Sequence, residues 1–94
     1  MEIINCYLED TPKLLNEITQ AIEKEQAELL QKSAHTMKSS SASVGATNLS
    51  QLCKELESIG RGGATEGTDV ILSQVKAEYE RVENALRDEL QAYM

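Results

Sequence analysis

The chain has no tryptophan and no phenylalanine, and three tyrosines are its only aromatic residues. A core without large rings has to be built from Leu, Ile, Val, Ala and Met, the side chains that interdigitate between packed helices. Proline occurs once, at Pro12, and Glu, Lys, Gln, Leu and Ala are abundant, which favours α over β. No apolar run approaches the ~20 residues of a membrane span, and Met1-Glu2-Ile3 lacks the basic start of a secretory signal. The expectation is a cytoplasmic domain without membrane contact. Cys6 and Cys53 have no CxxC spacing, and with a single histidine they cannot complete a tetrahedral zinc site unless carboxylates join them. Both are read as reduced thiols, and no metal site is expected. Basic residues are scarce, 9 Lys and Arg against 16 Asp and Glu for a net charge of -7. That balance argues against nucleic acid or an anionic membrane surface as partner and leaves a protein or a small molecule. At 94 residues the chain is one domain with one modest core.

What is present is helical periodicity. Ile3, Ile4, Tyr7 and Leu8 predict a short helix over about residues 2–9, ended by Asp10-Thr11-Pro12. Thr11 as N-cap and Pro12 at the first position would open a second helix over 12–24, with Leu14, Leu15, Ile18, Ala21 and Ile22 as its stripe. A third, over 26–44, carries Ala27, Leu30, Ala34, Met37, Ser41 and Val44 on one face and passes straight through the serines to Gly45, its natural stop. Leu49, Leu52, Cys53, Leu56 and Ile59 mark a fourth over 47–60, closed by Gly60 and the glycines that follow. The fifth, over 69–92 and capped by Thr68 or Asp69, is marked by Ile71, Val75, Tyr79, Val82, Leu86 and Leu90, with Tyr93 still in step. Short connections make consecutive long helices antiparallel. The fold expected is an all-α, up-down-up-down four-helix bundle with a short extra N-terminal helix, residues 1–94 closing on themselves as a monomer.

The one histidine, His35, lies in the stretch AHTMKSSSASVGA. At ~100° per residue, the core stripe of its helix centres roughly 130 to 140° away from it, so His35 faces solvent. Ser40 and Ser41 turn toward the bundle. Ser39, Ala42 and Ser43 lie on the histidine's side and leave the ring above a low floor. No Asp or Glu occurs between Leu29 and Lys54, a stretch holding Lys32, Lys38 and Lys54. A ring that must approach a negative group is served by such a locally basic patch, since ammonium groups attract an anion that carboxylates would repel.

These residues are similar to a known signature. His35-Thr36-Met37-Lys38-Ser39-Ser40-Ser41-Ala42-Ser43-Val44-Gly45-Ala46, followed by Leu49 and by Leu52-Cys53-Lys54-Glu55-Leu56-Glu57, resembles the histidine-containing phosphotransfer (HPt) domains of multistep two-component phosphorelays. Met37 stands where that family usually has Leu, and Ser39 where many members have Gly. The resemblance implies a phosphocarrier whose His35 accepts a phosphoryl group from the aspartyl phosphate of one response-regulator receiver domain and passes it to the aspartate of another. Lys38 and Lys32 would stabilise the phosphoryl charge, Gln31 would hydrogen-bond the ring or the phosphate, and Ser39, Ala42 and Ser43 would form the docking surface. It implies no cofactor in this chain, with Mg²⁺ in the partner receiver, and no autokinase activity, although the domain could be a module of a hybrid sensor histidine kinase. The competing reading is a helical adaptor that never carries phosphate.

Overall fold

In the computed structural model, residues 2–92 are described, and they form four α-helices: α1 (Glu2–Glu23), α2 (Ala27–Ser43), α3 (Thr47–Arg61) and α4 (Thr68–Ala92). Each helix packs on its neighbour in the chain, α4 returns to α1, and the most extensive packing joins α2 to α3. The bundle is elongated, 45 × 20 × 18 Å.

The all-α bundle and the last three helices lie where the periodicity put them, with Tyr93 outside the described residues. The two helices expected before residue 25 are instead one, α1, which runs through Pro12 without a break. A proline inside a helix forfeits one hydrogen bond and crowds the preceding turn, at roughly 3 kcal/mol. Here Pro12 itself is exposed, and the helix is pinned on both sides of it by Ile4, Tyr7, Leu8 and Thr11 before and Ile18 and Ala21 after. Thr11 is therefore not an N-cap. Its side chain is fully buried in the bundle.

Three helices end in the same way. Gln26 N–H reaches back to Ala21 O and Glu25 N–H to Ile22 O; Ala46 bonds Ser41 O and Gly45 bonds Ala42 O; Ala64 bonds Ile59 O and Gly63 bonds Gly60 O. This double closure needs a left-handed residue just past the helix. Gly45, with φ of 80°, supplies it after α2 as expected, whereas Glu25 takes φ of 56° after α1 and carries the steric cost of a side chain there. α4 begins at Thr68 itself, which is buried and whose hydroxyl donates to Thr65 O.

Gly60 does not stop α3. It lies inside the helix, buried against α2, where a Cβ would come within 2.8 Å of both Ala27 O and Gln31 N. Only glycine permits so close an approach, and the approach brings the last two turns of α3 against the N-terminal half of α2.

The core comprises Ile4, Tyr7, Leu8, Ile18, Ala21, Leu30, Ala34, Met37, Leu49, Cys53, Leu56, Leu72, Val75, Tyr79 and Leu86. The rings of Tyr7 and Tyr79 meet at 6.1 Å between α1 and α4, and the Tyr7 hydroxyl shares a 2.9 Å hydrogen bond with Ser41 Oγ on α2. Burial pushes the Tyr79 phenol and the Cys53 thiol up to about 12, so both stay neutral in the interior. Cys6 is a free thiol at the surface.

Candidate functional site

α2 is fixed by its inner face, on which Leu30, Ala34, Met37 and Ser41 are fully buried. That anchorage determines where the remaining positions point. His35 lies on the outer face with 59 % of its side chain exposed, as the helical angle requires. Ser39, Ala42 and Ser43 are exposed beside it, while Ser40 is only half-buried. The Thr36, Ser40 and Ser43 hydroxyls donate back to Lys32 O, Met37 O and Ser39 O of their own helix. Turned inward in this way, small polar side chains keep a low surface around the ring and still satisfy their donors.

The electrostatics differ from the sequence expectation. The patch around His35 is not free of carboxylates, because α3 delivers one: Glu57, whose side chain is only 5 % exposed. Its Oε2 lies 2.6 Å from His35 Nδ1, its Oε1 accepts a 2.6 Å bond from Lys38 Nζ, and Arg61 Nη2 stands 3.3 Å from Oε2. The Lys38 ammonium holds the Glu57 carboxyl below the usual carboxylate range and the bond to His35 adds to this, against burial, which pushes the other way. Glu57 is therefore ionised at neutral pH. A carboxylate can only accept, so the ring nitrogen it touches must donate; in the neutral ring this puts the proton on Nδ1 and the free lone pair on Nε2.

Of the other residues singled out in the sequence, Lys38 is drawn toward Glu57 and half-buried. Lys32 is exposed one turn before His35 and makes no ion pair among the described residues. Gln31 is half-buried and lines the same groove as Glu28, Lys32, Thr36 and Arg61, without a side-chain hydrogen bond among the described residues. Glu57 and Arg61 are the site residues to which no role was given. A signal for Glu57 was present, since it falls four residues after Cys53 and eight after Leu49, within the apolar stripe of α3. A charged residue on an inward face asks for a partner.

Alongside the site, Ile3, Cys6, Tyr7 and Leu14 of α1, Thr36, Ser40 and Ser43 of α2 and Val44 just past it line an apolar groove of about 220 Å³. Ile3 is 56 % exposed at its edge. Among the described residues, no group of three or more His, Cys, Asp or Glu side chains is placed to hold a metal ion.

With this geometry in hand, comparison with known proteins gives a consistent result. The family model of the Hpt domain matches residues 2–85. The chain belongs to the HPt domain family. Histidine-containing phosphotransfer protein 4 of Arabidopsis thaliana is 30 % identical over 93 residues, which span 97 % of this chain and 73 % of that protein. The crystal structure of histidine-containing phosphotransfer protein B from Pseudomonas aeruginosa superposes with a TM-score of 0.93 at 27 % identity, covering 98 % of this chain and 80 % of that one. The HPt domain of a sensor hybrid histidine kinase from Shewanella shares the fold, with a TM-score of 0.85 at 22 % identity over 97 % and 79 % of the two chains. As an HPt domain, the chain is a phosphotransfer carrier of phosphorelays. No helix among the described residues is long and apolar enough to cross a membrane.

Proposed function

We propose that His35 Nε2 is the atom that carries the phosphoryl group, taking it from the aspartyl phosphate of one receiver domain and giving it to the aspartate of another. The observation that carries this reading is a half-anchored ring: Nδ1 is tied to Glu57 at 2.6 Å while most of the side chain stays open to solvent. The tie fixes the ring's orientation, and the lone pair is left on the other nitrogen. Loading forms the Nε2–P bond as the P–O bond to the receiver aspartate breaks, with the bonding pair leaving on the carboxylate. Such transfers pass through a loose transition state that needs positioning and charge more than covalent help. Lys38 is the cation best placed to meet the incoming charge, Arg61 the second, and Lys32 and Gln31 flank the approach. The Mg²⁺ that the chemistry requires is assigned to the receiver.

The receiver docks over Ser39, Ala42 and Ser43, with the apolar groove between α1 and α2 continuing that surface. The domain works as a monomer in the cytoplasm, its partners are receiver domains alone or within a hybrid kinase, and it does not bind nucleic acid. Incubation with a phosphorylated receiver tests this. Acid-labile label should appear on the wild type and vanish in His35→Gln, whereas label that persists in the variant contradicts the assignment. A pure adaptor would bind the receiver and stay unlabelled. Ser39→Trp should abolish labelling without unfolding the chain.

A further inference from the structure

The site uses an expensive residue where a cheap one would do. A neutral amide could accept the Nδ1–H bond and orient the ring, yet the position holds a carboxylate, nearly sequestered from solvent and kept ionised chiefly by Lys38. What a negative charge adds, and an amide does not, is resistance to loss of the proton it faces.

That proton matters after the transfer. Neutral imidazole attacking through Nε2 while keeping Nδ1–H yields a phosphoimidazolium, a cation. On discharge the Nε2–P bond breaks, its electron pair stays on Nε2, and neutral imidazole departs from the phosphorus. If the Nδ1 proton were first lost to solvent, the ring would be a neutral phosphoimidazole and the leaving group an imidazolate anion, a much poorer one. We propose that Glu57 holds the Nδ1 proton on His35 throughout the phosphorylated lifetime, keeping the carrier in the form from which the group can leave. This rests on His35 being the acceptor. Glu57 is accordingly a positioning residue that acts through the ring and does not touch the phosphoryl group.

The charged groups around the ring are Glu28, Lys32 and Lys38 on α2 and Glu57 and Arg61 on α3. The cations disfavour a positive ring, and both Lys38 and Arg61 are bound to Glu57, whose carboxylate makes the ring's one hydrogen bond among the described residues. From α1, Glu17 accepts from Ser33 at 3.1 Å on the inner side of α2, and α4 does not pack on α2.

The test charges the full chain with phosphoramidate and follows the ring nitrogens of phosphorylated His35 by ¹⁵N NMR across pH, beside a phosphorylated peptide of residues 30–44. The phosphorylated ring of the folded chain should keep its Nδ1 proton to a pH about one unit higher than the peptide, the tenfold effect of exchanging a neutral acceptor for an ionised one. Glu57→Gln should move the profile back toward the peptide, and its discharge onto a receiver should fail at correspondingly lower pH. If the wild type titrates with the peptide, or if Glu57→Gln leaves the profile in place, Glu57 is an orienting group only. The comparison with the peptide needs no variant and so does not depend on Glu57→Gln folding. Loss of the acceptor reading is separately visible, as label found on a residue other than His35.

Discussion

Besides the bonds from Ser33 Oγ to Glu17 of α1 and from Ser50 Oγ of α3 to Lys38 O, α2 carries a polar link on each flank that is built oppositely to the other. On the α1 side, Tyr7 and Ser41 share a neutral 2.9 Å hydrogen bond between buried side chains. On the α3 side, Glu57 joins His35, Lys38 and Arg61 in a charged cluster whose carboxylate is buried and whose histidine is open. A neutral pair sealed from water fixes packing and offers nothing to a visitor. A charged cluster with one exposed member costs desolvation and keeps a reactive atom at the surface. The difference separates what holds the helix in place from what the helix presents, and it can be broken from either side.

The largest effect should come from Gly60, which sets how closely α3 sits on α2. Gly60→Val puts a side chain onto the backbone at Ala27 and Gln31, and should cost about 3 kcal/mol in chemical denaturation while also slowing phosphotransfer, because Glu57 moves with its helix. Lys38→Ala should separate the flanks: transfer from a phosphorylated receiver falls by roughly ten- to a hundredfold, with stability lowered by about 1 kcal/mol at most, since His35 and Arg61 still hold Glu57. Tyr7→Phe should do the reverse, costing about 1 kcal/mol by leaving Ser41 without its partner and leaving the transfer rate unchanged.

A pH series sharpens the contrast further. Glu57 has its carboxyl lowered in the folded state by Lys38 and then His35, so its contribution to stability is fully present above the unfolded-chain value of about 4.3 and is lost as pH falls through the lower folded value. The stability difference between wild type and Glu57→Gln, measured by denaturation, should therefore shrink as pH drops below about 4, whereas the difference between wild type and Tyr7→Phe should not change there. The smallest effect lies away from both flanks. Glu25→Gly, at the left-handed position after α1, should raise stability by up to about 1 kcal/mol and leave transfer untouched.

The inner face of α2 and the outward direction of His35 were legible in the sequence because both follow from angles within one helix. Thr11-Pro12 misled for the opposite reason: the local chemistry of a helix start is sound, but burial of Tyr7, Leu8, Thr11 and Ile18 along one continuous face outweighed it. Gly60 resembles a helix stop in the sequence because a glycine near a helix end and a glycine at a helix crossing look alike until the neighbouring helix is in place. The charge around His35 failed for a similar reason. A window without acids describes one segment, and Glu57, three residues past Lys54, reaches the ring only through the packing of α3 on α2.

The claim that the open flank carries the chemistry is tested most directly by locating the phosphoryl group. After loading from a phosphorylated receiver, ³¹P and ¹⁵N NMR of the full chain should show a single phosphohistidine with phosphorus bonded to Nε2 of His35, and no signal in His35→Gln. Phosphorus bonded to Nδ1, the nitrogen that faces Glu57, or label retained in the variant, would contradict the account.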